Sequence, residues 1–141
     1  MTDALDLKLR NDLEEIPRLA ETIEEFFDGH DLPPTLAFNF NLALDELLTN
    51  VISYAFEPGT EHEIAVRVTL DGDRLVTAVI EDDGPAFDPF NDARPPVLEG
   101  GVDDRPIGGL GIHFVKSMMD DVRYERRGDH NHVFLIKRAT G

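Results

Sequence analysis

The sequence predicts an α+β fold, a two-layer sandwich with helices packed on one face of a mixed, mostly antiparallel sheet. Three observations lead there. The apolar periodicity runs strand, helix, helix, hairpin, long loop, helix, hairpin. The chain has 141 residues, of which 41% are hydrophobic and 30% charged, enough for one core. Turn chemistry separates the periodic segments where hairpins need it, at Asp71-Gly72-Asp73 and Gly128-Asp129. A single domain over 1–141 is expected.

The first strand is predicted over Asp6–Arg10, with Leu5, Leu7 and Leu9 on one side. Asn11, with Glu14 three residues on, fits the N-cap of a first helix, and Leu13, Ile16, Leu19, Ala20, Ile23, Phe26 and Phe27 recur at helical spacing before Gly29. Pro17 would then sit inside that helix and either bend it or move its start. A second helix should open at Pro33-Pro34 and continue to about Phe56, where Pro58-Gly59 stops it. Its core stripe is Leu36, Phe40, Ala43, Leu44, Leu47, Val51 and Ala55.

Two strands, His62–Leu70 and Arg74–Glu81, form the next hairpin. Residues 82–107 are rich in Pro, Gly and Asp, longer than an ordinary connection, and therefore read as a functional or mobile loop. Gly108-Gly109-Leu110-Gly111 then opens a third helix, and strands Val122–Arg127 and His132–Lys137 close the chain. Met118 and Met119 read as core filler, and His130 and His132 as surface histidines without a third metal ligand.

With no cysteine, disulfides, thiolate metal sites and thiol nucleophiles are excluded. A net charge of −16 argues against direct binding to nucleic acid or to an anionic bilayer. The charge is uneven: residues 1–115 carry 7 basic and 25 acidic side chains, whereas residues 116–141 carry 6 and 4. There is neither an apolar run of membrane-spanning length nor the basic-then-apolar start of a signal peptide, so a cytoplasmic protein is expected.

Three clusters carry chemistry. Glu46 and Asn50 share one helix face, where a carboxylate can orient a hydroxyl and an amide oxygen can ligate Mg²⁺. Taken alone, the pair also fits the wet edge of a helix. Asp82-Asp83-Gly84-Pro85-Ala86 follows a strand, where a carboxylate can accept from an exocyclic amine and Gly84 lets backbone approach a flat ring; an acidic turn has the same composition. Gly108, Gly109, Leu110 and Gly111 place backbone N–H groups at a helix start, which suits phosphate or a simple hinge. The stretch is neither a Walker loop nor a dinucleotide fingerprint.

In this order the clusters resemble the Bergerat-type ATP-binding fold of gyrase, chaperone ATPases, sensor histidine kinases and MutL proteins. LDELLTNVISYAF, IEDDGPAFDP, RPIGGLGIHFVKSMMDDVRYER and VFLIKR resemble, within it, the bacterial anti-sigma-factor serine/threonine kinases. The resemblance implies that Glu46 is the catalytic base, Asn50 the Mg²⁺ ligand and Asp82 the adenine anchor. It further implies that Gly84 and Ala86 shape the adenine pocket, that Gly108, Gly109, Leu110 and Gly111 line the phosphates, and that about 90–107 is a lid with Arg105 contacting phosphate or partner. By charge alone, Arg105 is a cation beside a glycine hinge. Tyr54-Ala55 stands where many relatives have His-Ala, and Pro85-Ala86 replaces the second glycine of the wider D-x-G-x-G pattern. The implied activity is ATP-dependent phosphorylation of a small anti-anti-sigma (STAS-type) protein, coupled to sequestration of a sigma factor, by a homodimer. A nucleotide-gated binding module without turnover is the alternative.

Overall fold

The computed structural model describes residues 3–56, 59–72, 74–90 and 109–139. Five strands, β1 (Asp3–Arg10), β2 (Glu63–Leu70), β3 (Leu75–Asp82), β4 (Asp121–Arg127) and β5 (His130–Arg138), form one sheet in the order β1-β2-β3-β5-β4. Every pairing is antiparallel, so the mostly antiparallel sheet of the sequence reading is wholly so among the described strands. Among the described residues three α-helices, α1 (Glu15–Gly29), α2 (Pro34–Asn50) and α3 (Gly109–Met118), accompany the sheet.

Alternation explains the layering. Ile64, Val66 and Val68 of β2, Val76, Ala78 and Ile80 of β3, and Val133 and Leu135 of β5 are buried and share one face. Against them pack Leu19, Ile23 and Phe27 of α1, Phe40, Leu44 and Leu47 of α2, and Ile112 and Val115 of α3. Phe27 and Phe40 meet edge to face, with ring centroids 5.6 Å apart, where α1 crosses α2. Met119 is buried and Met118 partly so, as core filler requires.

The start of α1 differs from the sequence expectation. Asn11 does not cap it: its Oδ1 accepts from the His62 backbone N–H at 2.9 Å, and its Nδ2 donates to Thr60 O at 2.9 Å. The helix begins instead at Glu15, which puts Pro17 in the first turn, where the missing N–H has no intrahelical partner to lose. The end of α2 differs as well. The α-helix stops at Asn50, and Val51–Ala55 form a π-helical turn. Among the described residues of the β2–β3 hairpin, Arg74 is left-handed, with φ 61°, and Gly72 is not; the Arg74 carbonyl accepts from Ala139 N–H at 2.8 Å.

Candidate functional site

Glu46 and Asn50 occupy the last turns of α2, one helical turn apart, with Asn50 Nδ2 placed 3.5 Å from Glu46 Oε1. With its N–H side turned to the carboxylate, the amide presents Oδ1 as an oxygen suited to a hard cation. The Glu46 carboxylate lies against α3. A Cβ built on Gly111 would fall 1.9 Å from Glu46 Cδ and 2.1 and 2.3 Å from its two oxygens. Gly111 therefore makes room for the carboxylate beside the first turn of α3, where backbone N–H groups lack intrahelical acceptors. Gly109 and Leu110 form the start of the same turn.

A second group gathers at the end of β3. Asp82 is 3% exposed, and its Oδ1 accepts from Gly84 N–H at 2.9 Å and from Asn131 Nδ2 at 3.0 Å. Its Oδ2 receives no donor from the described residues, which leaves one acceptor of a buried carboxylate for an outside N–H. Gly84 is the contact point with the π-helical turn that follows α2: a Cβ there would come 3.0 Å from Ala55 Cβ and 3.0 Å from Asp82 Oδ1. Ala86 lies beyond it on the exposed side of the turn.

The π-helical turn joins the two groups. Asn50 immediately precedes it, and Ala55, its last residue, meets Gly84. The wider turn adds one residue to the helical path without breaking it, which sets the position of Ala55 relative to Asn50. Phe56 then stacks on His62, with ring centroids 4.1 Å apart, and His62 Nδ1 lies 3.0 Å from Asp83 Oδ1, closing this end of the layer. Glu46, Asn50 and Gly111 are thus brought together, as are Asp82 and Gly84. Gly108, Arg105 and all but Phe90 of the lid expected over about 90–107 lie outside the described residues.

The pieces are a carboxylate–amide pair on one helix, a buried Asp at a strand end and a glycine-started helix on one sheet. The profile of the histidine kinase-like ATPase domain matches residues 9–137. The chain belongs to this family. The serine/threonine-protein kinase BtrW of Bordetella bronchiseptica is 39% identical over 106 residues, 74% of this chain and 72% of that one. The chain's group within the family is therefore that of the serine/threonine-protein kinases. A protein named anti-sigma F factor, from Priestia megaterium, is 29% identical over 82 residues, 58% of this chain and 55% of that protein, so the match spans about half of it. The structure containing the RsbU and RsbW domains of Rv1364c from Mycobacterium tuberculosis superposes with a TM-score of 0.69, covering 96% of this chain and 32% of that one, at 14% identity. That likeness supports the fold.

Within this histidine kinase-like ATPase domain, the sequence reading missed Asn131. It is 3% exposed, and its Nδ2 also donates to Pro85 O at 2.9 Å and Gly84 O at 3.3 Å. Its Oδ1 accepts from Phe87 N–H at 3.3 Å, Arg126 Nη1 at 3.2 Å and the Tyr124 hydroxyl. Arg126 Nη1 donates to Gly84 O as well, at 2.7 Å. One asparagine of β5, braced from β4, thus holds the whole Asp82–Phe87 turn. A signal was present: with His130 and His132 outward and Val133 and Leu135 inward, Asn131 falls at a core position of the alternation.

His132, read as a surface residue, is largely buried: its Nε2 lies 3.5 Å from Glu81 Oε1, and its Nδ1 is buried without a partner. His130 Nε2 lies 3.9 Å from the other oxygen of Glu81. Among the described residues no group of three His, Cys, Asp or Glu is arranged to hold a metal ion, and no helix is long and apolar enough to cross a membrane.

Proposed function

We propose that this domain is an ATP-dependent serine/threonine kinase that phosphorylates a small STAS-type partner and, when that partner is phosphorylated, sequesters a sigma factor. The observation that carries the reading is the Glu46 carboxylate, seated against Gly111 at the start of α3 and one turn from Asn50. Bound Mg·ATP supplies the phosphoryl group and the charge compensation it needs.

The chain's own residues fit such a ligand. Asp82 Oδ2 accepts the adenine amine, Gly84 and Ala86 are assigned to the ring pocket by the family resemblance, and Asn50 Oδ1 ligates the metal. Gly108, Gly109, Leu110 and Gly111 offer backbone N–H groups to the phosphates, with Arg105 assigned to the same region by the family resemblance. Glu46 accepts a hydrogen bond from the substrate hydroxyl, aligns its oxygen and takes its proton. A homodimer in the cytoplasm completes the reading; sedimentation equilibrium tests the dimer.

The first test is calorimetric titration of Mg·ATP into the wild type, Asn50→Ala and Asp82→Asn, with saturable 1:1 binding expected in the wild type and lost in both variants. The second is Glu46→Gln. Phosphoryl transfer to a STAS protein should fall at least ~100-fold, the lower end of general-base contributions, while nucleotide affinity stays within about threefold. Equal loss of binding and transfer would overturn the role of Glu46.

A further inference from the structure

Well away from the Glu46 end of α2, the seam between α1 and α2 opens into a groove of about 470 Å³. Phe27, Leu32 and Ala37 provide a buried apolar floor, and Phe38, 66% exposed, forms a wall. The rim is acidic: Glu24 and Asp28, four apart on α1, are both exposed, and neither pairs with a cation among the described residues. Asn41 reaches in from α2. Its Nδ2 donates to Ala20 O at 3.3 Å, and because a backbone carbonyl can only accept, that contact fixes the amide's orientation. Asn41 Oδ1 is then left buried with no donor.

Apolar floor, exposed ring and two unpaired carboxylates all lack the same complement, an apolar side chain flanked by N–H donors of positive charge. A second copy of this chain, itself at −16, and an anionic bilayer are both repelled from such a rim. We propose that the α1–α2 groove docks a cationic amphipathic helix of a partner protein. One of its apolar side chains seats beside Phe38, and its Lys or Arg head groups lie over Glu24 and Asp28. The volume suits a few anchoring side chains rather than a whole interface. Phe38, Leu42 and Glu46 follow one another at four-residue spacing along α2, so the anchor lies about 12 Å from the Glu46 position, at ~1.5 Å per residue. Only that link to catalysis rests on the kinase reading; the docking stands without it.

The test is NMR titration of the isotope-labelled full chain with a Leu/Lys amphipathic peptide about 18 residues long, five turns of helix, and with its Leu/Glu counterpart. The expected result is saturable binding of the Leu/Lys peptide alone, with shifts centred on Glu24, Asp28, Phe38 and Asn41. Glu24→Lys with Asp28→Lys should weaken it at least tenfold, about 1.4 kcal/mol, and Phe38→Ser should weaken it comparably. A control pair of exposed acids, Glu61→Lys with Asp129→Lys, changes the net charge equally and should cost less than about threefold. Absence of binding, shifts centred elsewhere or equal losses from the two charge reversals would overturn the proposal. So would broadening of the groove resonances with protein concentration alone, which would make the occupant a second copy. None of these readouts depends on ATP or phosphoryl transfer.

Discussion

At residue 111 a single hydrogen separates a working arrangement from a collision. Gly111→Ala places a methyl within 2.3 Å of both Glu46 oxygens, so the carboxylate has to swing away. The backbone is helical there, where alanine is favoured over glycine by about 1 kcal/mol, so the fold should not suffer. The expected outcome is a loss of phosphoryl transfer approaching that of Glu46→Gln with a melting temperature within a few degrees of wild type, read by a transfer assay and a thermal melt. Asn131→Ala should behave oppositely. It strips donors from the Gly84 and Pro85 carbonyls and from Asp82 together, and an unsatisfied buried group costs about 1–3 kcal/mol, so urea unfolding should show a loss of roughly 2–4 kcal/mol along with weaker nucleotide binding. Glu46, Asn50, Asp82 and Gly111 were legible as candidates because they stand in local motifs. Asn131, Tyr124 and Arg126 were not, since they converge on the turn only through the β3–β5 and β5–β4 pairings, which no local pattern specifies.

Element boundaries followed long-range contacts wherever these outweighed local preference. Asn11 and Glu14 have the composition of a helix cap, yet Asn11 makes two bonds to the segment before β2 that a cap would forgo. The π-helical turn was likewise illegible, because Val51–Ala55 would suit either helix type and the wider turn is set by where Gly84 meets Ala55. At the start of α1, Glu15 takes over the tie to the sheet. It accepts from Arg10 N–H at 3.0 Å and pairs with Arg18 at 2.9 Å, while Arg18 also donates to Lys8 O. The Arg18 bond first, and the Arg10 N–H second, hold the Glu15 carboxyl below its ordinary pKa. A depressed carboxyl contributes stability that is fully present above the unfolded pKa and is lost as pH falls through the folded one. Glu15→Gln should therefore flatten the acid side of the stability profile below the ordinary glutamate range and leave its shape near neutrality unchanged. Urea midpoints taken across that range decide it; parallel profiles for the two proteins would exclude the linkage.

Across the whole molecule, the layering was legible because inward alternation in β2, β3 and β5 matches the apolar faces of α1 and α2, whereas the insertion of β5 between β3 and β4 was not, since it depends on which strand edge the chain meets after α3. The same layering concentrates charge. A surface carrying −16 repels itself, and opposing that are exposed pairs such as Lys8–Glu63 at 3.4 Å and Arg67–Asp6 at 2.6 Å, each worth about 0–1 kcal/mol at most. Raising monovalent salt from about 10 to about 150 mM shortens the screening length from ~30 to ~8 Å, which weakens repulsion across the domain more than attraction inside a contact pair. The melting temperature should consequently rise with salt by a few degrees, with sodium chloride and potassium chloride equivalent. A fall would mean that the exposed pairs outweigh the net charge. The Mg·ATP titration should not move against that rise, because long-range repulsion of an anionic nucleotide also diminishes with screening while the α3 start and Asn50 act at contact. Affinity measured at fixed Mg²⁺ should therefore improve or hold across the same salt range, and a steep loss would indicate that the nucleotide is held by exposed cations rather than by the glycine turn and Asn50.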